Sequence, residues 1–410
     1  MKPDFSNLIK KEEALSLLLS KWNYIPSLEW IPLSEASGRI LAKDQYALYD
    51  LPVVRASAMD GIAVKSEYFK DGMPDTSDWK LGTDYVRADT GDDFDDDFDA
   101  VIAIENVALT SEGNLSFLHQ VNATRNFNVR PGGCDIKKDS LIAVSGTQMN
   151  ASCMAALAMG GIEEVPVIKK PVIAFIPTGS ELVSVGTKPK RGQNIDSNSI
   201  LVRQMLLDMG AHPILSPIIP DEKEALEQAL DRYLPDADMI LVNAGSSKGG
   251  EDFCHQILSK RGTSVFSGIA AVPGRPMNAV IIDNKPVINL AGPSFGAFYG
   301  MDSVIRELIC HCLTIPVPVR EKVTAKLTAP LVKPPFFSLM APIHLERKED
   351  GSYLATPITL RGPKASGSCA ALQAEGIYIT EPKEQISREG ETIQVELLVN
   401  RSQIKNYCPH

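Results

Sequence analysis

With 410 residues, 44% of them hydrophobic and 22% charged, the chain has the make-up of an ordinary globular protein, and at roughly 100–200 residues per domain it is long enough for two to four. A formal net charge of −10 excludes a general nucleic-acid or acidic-membrane surface, so an anionic ligand has to be held by local donors. The seven cysteines (Cys134, Cys153, Cys254, Cys310, Cys312, Cys369, Cys408) are scattered and odd in number, which argues against a disulfide framework and fits a reducing cytoplasm.

Residues 5–21 are predicted helical. Leu15, Leu17, Leu18 and Leu19 sit among Glu12, Glu13 and Lys21 with no small-residue cleavage site, the pattern of an amphipathic helix and neither a signal peptide nor a membrane span. Residues 28–64 give short extended runs broken by Gly38 and Pro52. From about 65 to 135, turns, polar runs and short strands such as residues 100–104 predict a small β-rich insert. An apolar strand at residues 141–144 and an alanine-rich helix at residues 151–159, closed by Gly160-Gly161, follow, so the insert is flanked by pieces able to pack together.

Beyond residue 171 the pattern alternates. Strands are predicted at residues 172–176, 239–242 and 286–288, and helices at 198–209, 221–233 and 251–260. Strand and helix alternating over this length predict a doubly wound parallel sheet with helices on both faces, whose ligands bind beyond the carboxyl ends of the strands. Pro316 and Pro318 mark a linker. The remainder alternates apolar and polar residues (Val323, Ala325, Leu327; Ile393, Val395, Leu397), as in a small β domain. The fold class is therefore α/β and β multidomain, elongated, with domains at 1–45 plus 136–170, 46–135, 171–315 and 320–410.

Several positions have the chemistry of a site. Leu51-Pro52 enters as an extended dipeptide, Asp60-Gly61 is a turn signal, and Ile62-Ala63-Val64 opens a strand; the reading as a plain loop stays open beside a role for the Asp60 carboxylate. Glycine-rich loops at residues 178–181 and 243–252 fall at strand ends, where backbone N–H groups suit an anion and where a simple turn is the other reading. Neither is a Walker sequence, and no G-x-G-x-x-G opens the first strand. Arg275, between Pro273 and Pro276, offers a fixed cation for phosphate or is only exposed. The loop Asn289–Ser294 follows another strand. Glu181, two residues past Gly179, suits a hard-cation ligand, and Asp252 is either such a ligand or a helix cap. Cys310-His311-Cys312 reads as core packing or a soft-metal pair, and the acidic run Asp89–Asp99 as a solvated loop or a cation site.

The string Ser57-Ala58-Met59-Asp60-Gly61-Ile62-Ala63-Val64 resembles the Ser-Ala-Met-Asp-Gly-x-Ala-Val signature of the molybdopterin molybdenumtransferases, the MoeA-type family that includes the E domain of gephyrin. Residues 34–42, 87–91 continuing to 105, and 129–136 are similar to further motifs of that family in the same order. So are Thr178-Gly179-Ser180-Glu181-Leu182, residues 192–198, Gly245, Ser247, Gly249 with Asp252, Pro273-Gly274-Arg275-Pro276, and Arg361 with Ser366-Gly367.

The resemblance implies binding of adenylated molybdopterin, placement of molybdate (or tungstate) at the dithiolene and release of AMP with Mg²⁺. It implies catalytic roles for Asp60, Thr90, Glu181 and Asp252, metal ligation by Glu181 and Asp252, and ligand binding by Ser57, Gly179, Ser180, Gly245, Ser247, Gly249, Arg275, Gly292, Pro293 and Ser294. A cytoplasmic homodimer is implied, its cleft combining the β-rich insert of one subunit with the α/β domain of the other. A molybdopterin adenylyltransferase or a target molybdoenzyme is the implied protein partner; nucleic acid and membrane are not. Departures from the pattern (Ala56, Asp92 and Asp93, Ser180, Ala244, Val272, Arg275 and Ala291–Ser294) leave a second expectation, a degenerate paralogue that binds molybdopterin or a partner enzyme without inserting metal.

Overall fold

The computed structural model describes residues 8–109, 114–244, 250–332, 336–360, 367–380, 382 and 386–406, and only the backbone at 109, 244 and 250–253. The chain forms two compact units, Leu28–Ile168 and Met1–Ser27 with Lys169–His410. Among the described residues no helix is long and apolar enough to cross a membrane.

In the unit Leu28–Ile168, the strand Leu28–Pro32 pairs antiparallel with Glu164–Ile168, and Gln45–Tyr46 with Leu141–Ala143. The helix Ala151–Met159 starts where the Asn150 side chain accepts the Cys153 N–H at 2.9 Å, satisfying one orphan donor of its first turn. Leu33, Leu41, Met149, Leu157, Val165 and Val167 form the core there. The intervening residues carry a three-stranded antiparallel sheet with Gly61–Val64 at its centre, between Tyr85–Ala88 and Ala100–Ala103. Ile62, Val64, Tyr85 and Ile102 point into one core and Ala63, Ala88 and Val101 into another with Phe94 and Phe98. Burial of both faces explains why this strand reads as a continuous apolar run rather than an alternating one.

The other unit contains a six-stranded sheet built from β1 (Val172–Thr178), β2 (His212–Leu215), β3 (Met239–Ala244), β4 (Thr263–Ser267), β5 (Asn278–Ile282) and β6 (Lys285–Ala291), in the order β2-β1-β3-β6-β5-β4. The described helices packed around it include α1 (Lys11–Lys21), α2 (Asn198–Asp208), α3 (Lys223–Tyr233), α4 (Gly250–Arg261), α5 (Ser294–Gly300) and α6 (Arg306–Cys312). On one face, Ala174, Ile176, Ile240, Val242, Val280 and Val287 pack with Leu226 and Leu230 of α3 and Ile257 and Leu258 of α4. Strand alternation sends the equally buried Ile173, Phe175, Met239, Leu241, Ile288 and Leu290 to the other face, where α2 and α5 lie.

Three expectations change. The sheet is parallel only across β2-β1-β3-β6; β5 and β4 add antiparallel to its edge. The cause is a hairpin between β5 and β6, turning at Asp283 and Asn284, both at positive φ (+50° and +60°), which their short polar side chains tolerate. Helix α1 starts at Lys11, because Ile9 is extended and bridges to Ile269. Helix α3 starts at Lys223 instead of Asp221, whose carboxylate accepts a 2.9 Å hydrogen bond from Thr178 Oγ1.

Beyond the linker, the strands Lys322–Leu327, Ser338–Arg347, Tyr353–Pro357, Gly376–Thr380 and Thr392–Leu397 pair into a closed ring. Val323, Ala325, Leu327, Ile393, Val395 and Leu397 fill it, as their alternation predicts. Closure leaves these five strands no unpaired edge.

A Cβ on Gly61 would lie 2.0 Å from the Ile102 carbonyl oxygen of the neighbouring strand. Backbone cannot yield as a flexible side chain does, so Gly61→Ala is expected to destabilise the unit Leu28–Ile168 by about 2–3 kcal/mol, measured as a lower urea midpoint for that unit's unfolding.

Candidate functional site

Two constellations carry site chemistry, one in each unit. In the first, Asp60 ends the loop that enters Gly61–Val64. Its backbone oxygen accepts the Ile104 N–H at 2.8 Å and its Oδ1 accepts the Thr90 N–H at 2.7 Å, so Asp60 and Thr90 are brought together. Ser57 is fully buried; its hydroxyl donates to the Met59 carbonyl at 2.6 Å, its N–H donates to the Asp92 carbonyl and its own carbonyl accepts the Gly91 N–H. These bonds tie the Asp60 loop to the turn carrying Thr90, and Ser57 acts there as a pin with its hydroxyl turned inward.

The fully exposed Asp60 carboxyl lies below its ordinary value of 3.8, chiefly through hydrogen bonds from the Thr90 backbone and then its side chain, with a smaller contribution from the Arg87 charge. The acidic run around it is a bonded loop: Asp99 accepts from Ser66 N–H and Oγ, Asp92 from the Asp89 N–H, and Asp96 pairs with Arg55.

The second constellation is a cleft of about 630 Å³ lined by Thr178, Glu181, Asp196, Asn243, Ser294 and Ser368 among others. It opens at the carboxyl ends of β1, β3 and β6, where doubly wound sheets place their ligands. Its floor is a chain of buried amides: Asn243 Nδ2 donates to the Ala291 carbonyl at 2.8 Å, and Asn198 Nδ2 donates to Asn243 Oδ1 at 2.7 Å and to the Gly292 carbonyl at 2.8 Å. Asp196, also buried, accepts the Ser199 N–H at 3.0 Å, placing a carboxylate at the α2 N-terminus as the helix dipole favours. Ser197 Oγ and Ser294 Oγ are 3.0 Å apart.

Of the residues named from sequence, Glu181, Gly292, Pro293 and Ser294 line this cleft. Gly179 and Ser180 line a neighbouring cleft of about 600 Å³ with residues 217–220. Arg275 is exposed on the loop between β4 and β5 and is not among the lining residues. Gly245, Ser247 and Gly249 lie outside the described residues, as do Arg361 and Ser366; Asp252 sits in α4 with its side chain outside what is described. Cys310 and Cys312 are buried, which pushes both thiols up, and among the described residues no three potential ligands cluster as a metal centre. Asp196, Ser197, Asn198 and Asn243 received no role from sequence, although residues 192–198 form one of the motifs; a buried asparagine at a strand end or helix start was the available signal.

A carboxyl NMR titration should place the Asp60 midpoint below 3.8, with Arg87→Ala moving it upward. Because the folded value is depressed, the contribution of this group to stability is present above the unfolded value and is lost as pH falls through the folded midpoint.

Comparison with known proteins gives a consistent picture. The profile of the MoeA N-terminal region (domain I and II) matches residues 9–161 and that of a probable molybdopterin binding domain matches residues 174–311. The chain is 28% identical over 393 residues to a molybdopterin molybdenumtransferase of Bacillus subtilis, covering 90% of each, and 28% identical over 354 residues to that of Haemophilus influenzae, covering 83% of each. A solved molybdopterin biosynthesis MoeA protein from Pyrococcus horikoshii superposes with a TM-score of 0.78 at 25% identity, over 96% of this chain and 100% of that one. Two family profiles in order along the chain, relatives matched over nearly their whole length and a shared multidomain fold place this chain in the molybdopterin molybdenumtransferase family.

Proposed function

We propose that the chain acts in molybdenum cofactor biosynthesis as a molybdopterin molybdenumtransferase, taking adenylated molybdopterin and molybdate, or tungstate, as substrates and releasing AMP. The observation that carries this reading is the cleft at the carboxyl ends of β1, β3 and β6, within the segment similar to a molybdopterin binding domain. Family membership supports the further proposal of a cytoplasmic homodimer served by a molybdopterin adenylyltransferase and delivering to a target molybdoenzyme.

Each proposed role follows from local chemistry. Asp60, held ionised by Thr90, would supply a fixed negative charge at the metal-exchange centre. The exposed Arg275 guanidinium would grip a phosphate oxygen. The cleft lining includes the Glu181 and Asp196 carboxylates and serine and threonine hydroxyls, oxygen ligands of the kind taken by Mg²⁺, a hard cation bound through one or two carboxylates, water and substrate phosphates. Glu181, with Asp252 as the second proposed ligand, would hold it. When bound, the cation would neutralise charge on the phosphoanhydride.

Asp60→Asn keeps an oxygen for the Thr90 N–H and removes the charge. It is expected to leave thermal stability and adenylated-molybdopterin affinity nearly unchanged while slowing molybdate-dependent AMP release by about 10²-fold or more, read in a single-turnover assay. An equal rate in parent and variant removes the catalytic role of Asp60; a parent inert with both oxyanions favours the degenerate binder. Glu181→Gln is expected to raise the half-saturating Mg²⁺ concentration for AMP release at least tenfold, and an unchanged Mg²⁺ dependence would detach Glu181 from the metal.

A further inference from the structure

One atom at the floor of the cleft lacks a partner. Asn198 is only 7% exposed and lines the cleft, and its amide orientation is fixed by its neighbours. Both groups facing its Nδ2 are acceptors: Gly292 offers a carbonyl, and Asn243, whose own Nδ2 is committed to the Ala291 carbonyl, can present only its oxygen. Asn198 Oδ1 is therefore the remaining acceptor of the chain, and among the described residues no donor reaches it. Leaving a buried acceptor unfilled is destabilising, and a ligand donor would relieve that cost.

The surroundings narrow what that donor is. Among the described lining residues there are two carboxylates, Glu181 and Asp196, and no lysine or arginine. An acceptor oxygen in such company repels the oxygens of phosphate or molybdate, so whatever lies against Asn198 must carry N–H or O–H. The oxygen has almost no exposed surface in the unliganded cleft, and the Ser197–Ser294 hydroxyl pair lines the same cleft with groups that can both donate and accept.

We propose that this cleft takes the exocyclic amino group of a nitrogen heterocycle, and that Asn198 Oδ1 is the atom that reads it. The inference deepens the proposed function and rests on it for the ligand: adenylated molybdopterin carries two such amino groups, one on the pterin and one on the adenine, and both present the same chemistry to Asn198. Asn198 is thus the specificity-determining residue of the heterocycle, and its Nδ2 bonds are what hold its oxygen in place.

Isosteric probe pairs test this on the full-length protein by calorimetry: pterin against lumazine, which has oxygen in place of the 2-amino group, and AMP against inosine 5′-monophosphate, which has oxygen in place of the 6-amino group. The expected result is that the parent loses at least tenfold in affinity across one pair, since acceptor then faces acceptor, and that Asn198→Ala binds both members of that pair alike. The pair that responds identifies the heterocycle. Equal affinities within both pairs for the parent, or a penalty that persists undiminished in Asn198→Ala, overturns the proposal. Should Asn198→Ala fail to fold, a crystal structure of the parent with the tighter probe decides: an amino nitrogen within hydrogen-bond distance of Asn198 Oδ1 supports the proposal, and any other placement overturns it. AMP release from adenylated molybdopterin separates the two levels. Discrimination without turnover removes the transferase reading and leaves the subsite; turnover without discrimination removes the subsite alone.

Discussion

Three strand-end or helix-start positions, far apart in sequence, are held together by one chain of buried amide hydrogen bonds. Asn243 at the end of β3 donates to the backbone at the end of β6, and Asn198 at the start of α2 donates both to Asn243 and to the residue following β6. Each of these groups would be costly to bury alone, and together they are satisfied except for one oxygen. The positions of Gly292, Pro293, Ser294 and Ser197 around the cleft follow from that arrangement. The apolar packing of α3 and α4 on one face and α2 and α5 on the other buries the two faces of the sheet. The amide chain instead fixes where the carboxyl ends of β3 and β6 stand relative to the helix that begins beside them.

The Asp60 loop is built on a different device. Gly61 allows the central strand to approach the carbonyl of Ile102 more closely than any side chain would permit, and that approach delivers the preceding residue to the Thr90 turn. Ser57, buried with its hydroxyl turned back on Met59, holds the loop from the other side. An exposed carboxylate at the end of such a loop is cheap to ionise, and the Thr90 N–H makes the ionised form still easier to maintain. A rigid backbone frame carries a charged, solvent-facing acid, an arrangement suited to acting on an incoming ligand and of little use for stability, since a fully exposed charge contributes little to folding.

Some positions where the sequence leaves the family pattern are accommodated without disturbing these frames. Ser180 faces the neighbouring cleft rather than the one bordered by Glu181. Asp92 is used inside its own turn, accepting the Asp89 N–H and offering its carbonyl to Ser57. Ser294, at the start of α5, exchanges a hydroxyl bond with Ser197. Substitutions that retain backbone geometry and satisfy their own hydrogen bonds leave the architecture intact, consistent with a fold shared over nearly the whole chain at modest identity.

The amino-acid sequence by itself determined the elements whose periodicity is set by burial: the apolar runs of β1 and β3, the alternation of Val323, Ala325 and Leu327 against Ile393, Val395 and Leu397, and the glycine-closed ends of the helices at 151–159 and 198–208. Its ordered motifs also marked Asp60, Thr90, Glu181 and residues 292–294. It did not reveal that β5 and β4 run antiparallel, because the Asp283-Asn284 turn is a local choice whose result depends on which edge of the sheet is free. Nor did it reveal Asn198 and Asn243, 45 residues apart: an asparagine reads as a turn or cap residue until the chain buries it opposite another amide. Local composition encodes which residues leave water. Only the tertiary structure decides which buried polar groups meet, because that depends on strand order and register, and among the described residues lining the cleft it left one buried acceptor, Asn198 Oδ1, without a partner.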